Sequence, residues 1–193
     1  ENFTVRLLEL LRQGEIDCAI MALPLPEAGL VTRPLYDEPF IVAVPHDHPL
    51  AQARTIDAQE LKKQNMLLLG SGHCFRDQVL EVCPELSRFS AASDGIQRTF
   101  EGSSLETIRH MVAAGIGVTV LPVTAVPEAS SNPPPAKNLL RYVPFSEPVP
   151  QRRVVLAWRR SFPRLAAVEA LAQAVYACDL PGATMLSNEP VTV

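Results

Sequence analysis

Apolar residues along this chain follow two rhythms, a helical spacing and short continuous runs, and the two alternate. Over residues 4–13, Val5, Leu8 and Leu11, joined by Leu7, form a helical stripe with Asn2 or Thr4 as its N-cap and Gly14 as its stop. Residues 16–22 form a continuous apolar run closed by Pro24 and Pro26, which predicts a buried strand with Cys18 as inert packing. The proline-bounded residues 34–39 read as a passage between two lobes, and residues 40–44 as the strand beyond it. His46 and His48 fall in a loop, a short polar helix carrying Glu60 and Leu61 begins near Asp57, and residues 65–69 form another buried strand.

The second half repeats the alternation. Residues 84–95 lack a clean period and read as a mobile loop, with a strand at 96–100. The sequence Ser103-Ser104-Leu105-Glu106 is a capping box, with the Ser103 oxygen taking one orphan N–H and Glu106 reaching back, and it predicts a helix over 104–114 ended by Gly115. A buried strand is expected at 118–121, an exposed connection at 127–137, and strands at 139–143 and 154–158 flanking a proline-rich crossing. A last helix runs from Pro163 to about Cys178, with Leu165, Val168, Leu171 and Val175 as its apolar face; from Leu180 the tail is expected to be disordered.

Strands alternating with helices imply an α/β architecture with mainly parallel sheets, and the two proline-marked crossings imply two lobes. The first lobe takes residues 1–38, the second residues 39–148, and residues 149–193 return to the first and end in the tail. With 193 residues, 47% of them hydrophobic, the chain can bury a substantial core. The net charge of −4 excludes direct nucleic-acid binding by this piece, because phosphate recognition needs clustered Lys and Arg. No apolar run reaches the about 20 residues of a membrane span, and nothing resembles a signal peptide, so the cytoplasm is expected.

Chemistry concentrates in residues 72–83, which hold two of the four cysteines. The Gly70-Ser71-Gly72 turn leads from the strand at 65–69 into a helix over 76–82, whose Val79 and Val82 sit three apart on one face, so Cys74 lies near a helix start, where unpaired N–H groups, the helix dipole, His73 and Arg76 favour a thiolate. Cys83 is nine positions on; a continuous helix would separate the two Cα atoms by about 13.5 Å of rise and point them to opposite sides. A disulfide needs Cα atoms within about 7 Å, so this pair can bond only if the segment unwinds, and Pro84 weakens the helix at that end. The pair is therefore either a redox switch or two ordinary small core residues. A structural zinc site is the weaker option, since the close C-x-x-C spacing is missing and His46 and His48 alone anchor a metal poorly.

Two runs carry a resemblance. Gly72-His73-Cys74-Phe75-Arg76-Asp77-Gln78 with Cys83, and the run from Ser104-Leu105-Glu106-Thr107 through Gly115-Ile116-Gly117 to Leu121-Pro122, resemble the regulatory domain of the peroxide-sensing LysR-type transcriptional regulators. The second run is shared loosely across the LysR type, whereas the cysteine segment is specific to the peroxide sensors. The resemblance implies a two-lobed effector domain like a periplasmic binding protein, with the first strand and helix of the first lobe and the DNA-binding domain absent from this chain. It implies that Cys74 is the peroxide-reactive cysteine and Cys83 the resolving one, supported by His73, Arg76, Asp77, Thr4 and Arg153. It also implies hydrogen peroxide as the signal, a homodimer or homotetramer, DNA contact only through the N-terminal domain, a thiol reductant such as glutaredoxin, and neither cofactor nor metal. On this reading the chain is a transcriptional activator's sensor and not an enzyme. A thiol peroxidase is the enzymatic alternative, and a small-molecule effector domain with ligand near Ser103, Ser104 and Thr107 is the third.

Overall fold

A computed structural model describes residues 2–26, 28–84, 99–126, 139–187 and 189–191. The expected loop at 84–95, apart from Pro84, and the connection at 127–137 lie outside the described residues. The described chain divides into two compact units, one of residues 1–38 and 151–193, the other of residues 39–150.

In the first unit, helix α1 (Thr4–Gln13) buries Leu8 and Leu11 and stops where Gly14 adopts a left-handed φ of 82°. Its N-cap is Phe3 rather than the expected Asn2 or Thr4; the Asn2 carboxamide instead accepts the Phe3 N–H. Strand β1 (Cys18–Ala22) pairs antiparallel with β7 (Gln151–Arg159), whose inner residues Val154 to Trp158 are buried. Cys18 is only half buried. The last helix, here α4 (Leu165–Tyr176), seats Val168 and Ala172 on Leu156 and Trp158, while Leu165 and Leu171 face solvent, so its buried face is rotated from the expected one. Among the described residues of the tail, expected to be disordered, part is paired with the sheet. Its short strand β8 (Thr184–Met185) pairs with Tyr36 and Asp37, and Leu186 N–H donates to Leu35 O. Backbone pairing holds it despite its polar composition.

Strand β2 (Leu30–Pro45) runs unbroken through the residues expected to form a passage. Pro34 and Pro39 fit inside it, and Pro39 stands where the partner changes: β8 pairs with residues up to Asp37, and β5 begins at Phe40. In the second unit β2 pairs antiparallel with β5 (Thr119–Pro122) and with β6 (Leu140–Pro144). Strand β3 (Met66–Leu69) pairs in parallel with β4 (Thr99–Gly102), and Met66 makes a parallel bridge to Val118. The expectation of mainly parallel sheets is therefore corrected among the described ladders. The parallel pair β3–β4 has α2 between its strands in sequence, whereas the ladders β1–β7, β2–β5, β2–β6 and β2–β8 are antiparallel.

Among the described residues two α-helices lie in this unit. Helix α2 (Cys74–Val82) follows β3, and α3 (Leu105–Ala113) follows β4. The N-cap of α3 is Ser104, not Ser103; its Oγ accepts the Thr107 N–H at 3.1 Å, while Glu106 pairs with Arg109 and His110 instead of reaching back. The reciprocal capping box occurs at Asp57 and Glu60, on the 3-10 turn Ala58–Lys63. The core collects Phe40, Val42, Leu67, Phe75, Val79, Cys83, Ile108 and Val120.

Candidate functional site

Strand β3 is buried at every position and delivers the chain to the turn 70–72, where Gly72 takes a φ of 97° that a side chain would resist. His73 then caps α2 with extended backbone, and Cys74 is the helix's first residue, half buried. The helix holds its register through Phe75 and Val79. Phe75 meets Phe40 edge to face with ring centroids 5.2 Å apart, and Val79 is 2% exposed.

Cys83 stands one helical turn beyond Val79 and belongs to the same buried stripe. It is the C-cap of α2, its N–H donates to Val79 O, and its Sγ lies 3.8 Å from Ala58 O as donor. Burial pushes the Cys83 thiol up to about 11, with Lys62 working against that shift and Asp57 with it. Both thiols are free. They occupy opposite ends of one helix whose nine residues rise about 13.5 Å, so the reduced arrangement holds the pair apart.

Arg76 reaches sideways from the first turn. Its Nη1 donates to Leu69 O at 2.9 Å and to Glu101 Oε1 at 2.5 Å, tying α2 to the ends of β3 and β4. Asp77 is exposed in the same first turn, where the helix dipole favours a carboxylate. Thr4 and Arg153, the remaining predicted site residues, belong to the first unit. Thr4 opens α1. Arg153 grips Asp37 with two bonds of 2.8 Å and donates to Glu189 Oε2 at 2.9 Å; the Asp37 bond is the main cause that raises its already high pKa.

Sequence reasoning missed the partners of these arginines. Arg152 donates from Nε to Glu38 Oε2 at 2.6 Å, and Glu38 is fully buried. The available signal was an Asp-Glu dipeptide inside one apolar strand and an Arg-Arg dipeptide opening another. Ser103, Ser104 and Thr107, weighed as ligand contacts, bond to one another and to the α3 N-terminus. Among the described residues no group of three or more His, Cys, Asp or Glu side chains is placed to hold a metal ion, and no helix is long and apolar enough to cross a membrane.

Comparison with known proteins places this geometry in a family. Residues 1–177 match the LysR substrate binding domain. A probable hydrogen peroxide-inducible genes activator of Streptomyces viridosporus is 38% identical over 94% of this chain, which spans 56% of that relative's length. The reduced form of the OxyR regulatory domain from Pseudomonas aeruginosa is 49% identical, covering 92% of this chain and 81% of that one, with a TM-score of 0.76. A reduced form of OxyR from N. meningitidis is 42% identical, covering 96% and 83%, with a TM-score of 0.86. The chain therefore belongs to the LysR substrate-binding domain family, in its OxyR branch.

Proposed function

We propose that this chain is the sensor of a peroxide-responsive transcriptional regulator, and that Cys74 and Cys83 are its switch. The observation that carries the proposal is the placement of two free thiols at opposite ends of α2, one half exposed at the N-terminal turn and one buried at the C-cap. The Cys74 thiolate attacks hydrogen peroxide, forming Cys74–SOH and releasing hydroxide. The Cys83 thiol then condenses with the sulfenic acid, forming the disulfide and releasing water. Because α2 separates the sulfurs, the second step requires the helix to open, which makes oxidation a conformational signal.

His73 and Asp77 flank the reactive position in sequence, and Arg76 braces the turn that carries it. On the same reading Thr4 and Arg153, both in the first unit, take part in peroxide sensing. The signal passes to DNA through an N-terminal domain outside this chain, within a homodimer or homotetramer in the cytoplasm. A thiol reductant of the glutaredoxin class resets the pair, so each peroxide molecule is a signal and not a turnover.

Thiol mapping by mass spectrometry, before and after a stoichiometric peroxide pulse, tests the reading. The expected product is one Cys74–Cys83 disulfide with Cys18 and Cys178 still reduced. Oxidation confined to Cys18 or Cys178 would overturn it, and steady peroxide consumption at catalytic rate would favour a thiol peroxidase.

A further inference from the structure

Resting on that reading, we infer that Glu101 is a positioning residue for the switch: through Arg76 it latches the N-terminal turn of α2 in the reduced form. Three observations converge on it. Arg76 lies two residues from Cys74, and its side chain is only 17% exposed, so the guanidinium is held against the protein rather than waving in water. One nitrogen of that guanidinium serves both the last carbonyl of β3, at Leu69, and the Glu101 carboxylate on β4. The two strands it joins are themselves paired in register, Leu68 opposite Glu101 and Leu69 opposite Gly102, so the anchor is a fixed ladder and not a loop.

The latch acts on the end of the helix whose cysteine is the less buried. At the other end, Cys83 is 2% exposed and sits in the core with Val79, whereas Cys74 is half buried. The Arg76 bonds tie the Cys74 turn to the sheet. Bringing Cys74 to Cys83 pulls that turn away from β3 and β4, and the ion pair is lost with it. The reduced form keeps the pair and the oxidised form does not, so Glu101 sets how readily the disulfide forms.

The test is the thiol–disulfide equilibrium of the full chain in glutathione buffers, where dithiol plus oxidised glutathione gives disulfide plus two reduced glutathiones, read by alkylation and gel shift. Glu101→Gln keeps shape and removes charge at a half-exposed position, so the fold is retained. The expected result is a shift of the equilibrium toward the disulfide by about two- to fivefold, the weight of an ion pair with one exposed partner. Arg76→Ala should shift it in the same direction, and the double variant should go no further than Arg76→Ala alone, because Glu101 acts only through Arg76. An unchanged equilibrium in Glu101→Gln, or full additivity in the double variant, would overturn the latch. Failure of the unaltered chain to form a Cys74–Cys83 disulfide at all would instead remove the switch itself, and the latch with it.

Discussion

A thiol that closes a disulfide must reach its partner, and Cys83 cannot do so from its place in the reduced fold. It is packed with Val79 and Phe75 in the core, and desolvation holds its thiol near 11. At neutral pH Cys83 is therefore protonated and shielded, which suits a resolving cysteine that acts only after Cys74 has been oxidised. Cys74→Ser is expected to abolish disulfide formation, whereas Cys83→Ser should leave a sulfenic acid at Cys74 that a dimedone-type probe traps. A trappable sulfenate in the Cys74 variant and none in the Cys83 variant would reverse the roles. Burial of Cys83 also predicts a pH dependence. Its folded value lies above its unfolded one, so its contribution to stability is complete below about pH 8.5 and fades as pH rises toward 11. The difference in melting temperature between the native chain and Cys83→Ala should shrink over that window, and a constant difference would contradict the shift. The place of Cys74 was legible because an apolar run, a glycine turn and a helical stripe follow one another. The partner of Arg76 was not, since Glu101 lies 25 residues away and a half-exposed carboxylate leaves no periodic trace.

Among the elements, α2 and α3 could be read from apolar spacing, and both fall within a residue or two of their expected limits. The capping residue could not. Ser103 and Ser104 offer the same chemistry at adjacent positions, and backbone geometry chose the second. Strand direction was also hidden, because a sequence order of strand and helix tells which strands a helix separates but not which strands become neighbours. The close approach of β5 to β3 depends on a glycine. A Cβ on Gly117 would come within 2.3 Å of the Asn65 carbonyl oxygen, a backbone atom that cannot swing aside, just where Val118 N–H donates to that same oxygen. Gly117→Ala is expected to cost about 1–3 kcal/mol, measured by denaturant titration. The same substitution at Gly115 meets no neighbour within 4 Å, but its φ of 77° still resists a side chain, so its cost should come from backbone strain alone. Equal stability of Gly117→Ala and the native chain would show that β3 and β5 can slide apart freely.

At the scale of the molecule, the chain leaves the first unit at Glu38 and returns at Gln151, and the tail that composition marked as disordered is stitched back by β8 and by Glu189 on Arg153. The proline-rich stretches suggested such a crossing and return, but the pairing of a two-residue strand carries no sequence signature. What the sequence did carry was the conflict at the centre of the second unit: two thiols on one helix, too far apart to bond while that helix stands. Hydrogen exchange on the reduced chain and on the chain carrying the Cys74–Cys83 disulfide resolves that conflict. Oxidation should expose the amides of α2 to fast exchange while those of α3, anchored by Ile108 and Val112 in the core, keep their protection. A disulfide-bonded protein whose α2 amides stay as protected as before would show that the sulfurs meet without unwinding the helix, and the proposed switch would be wrong.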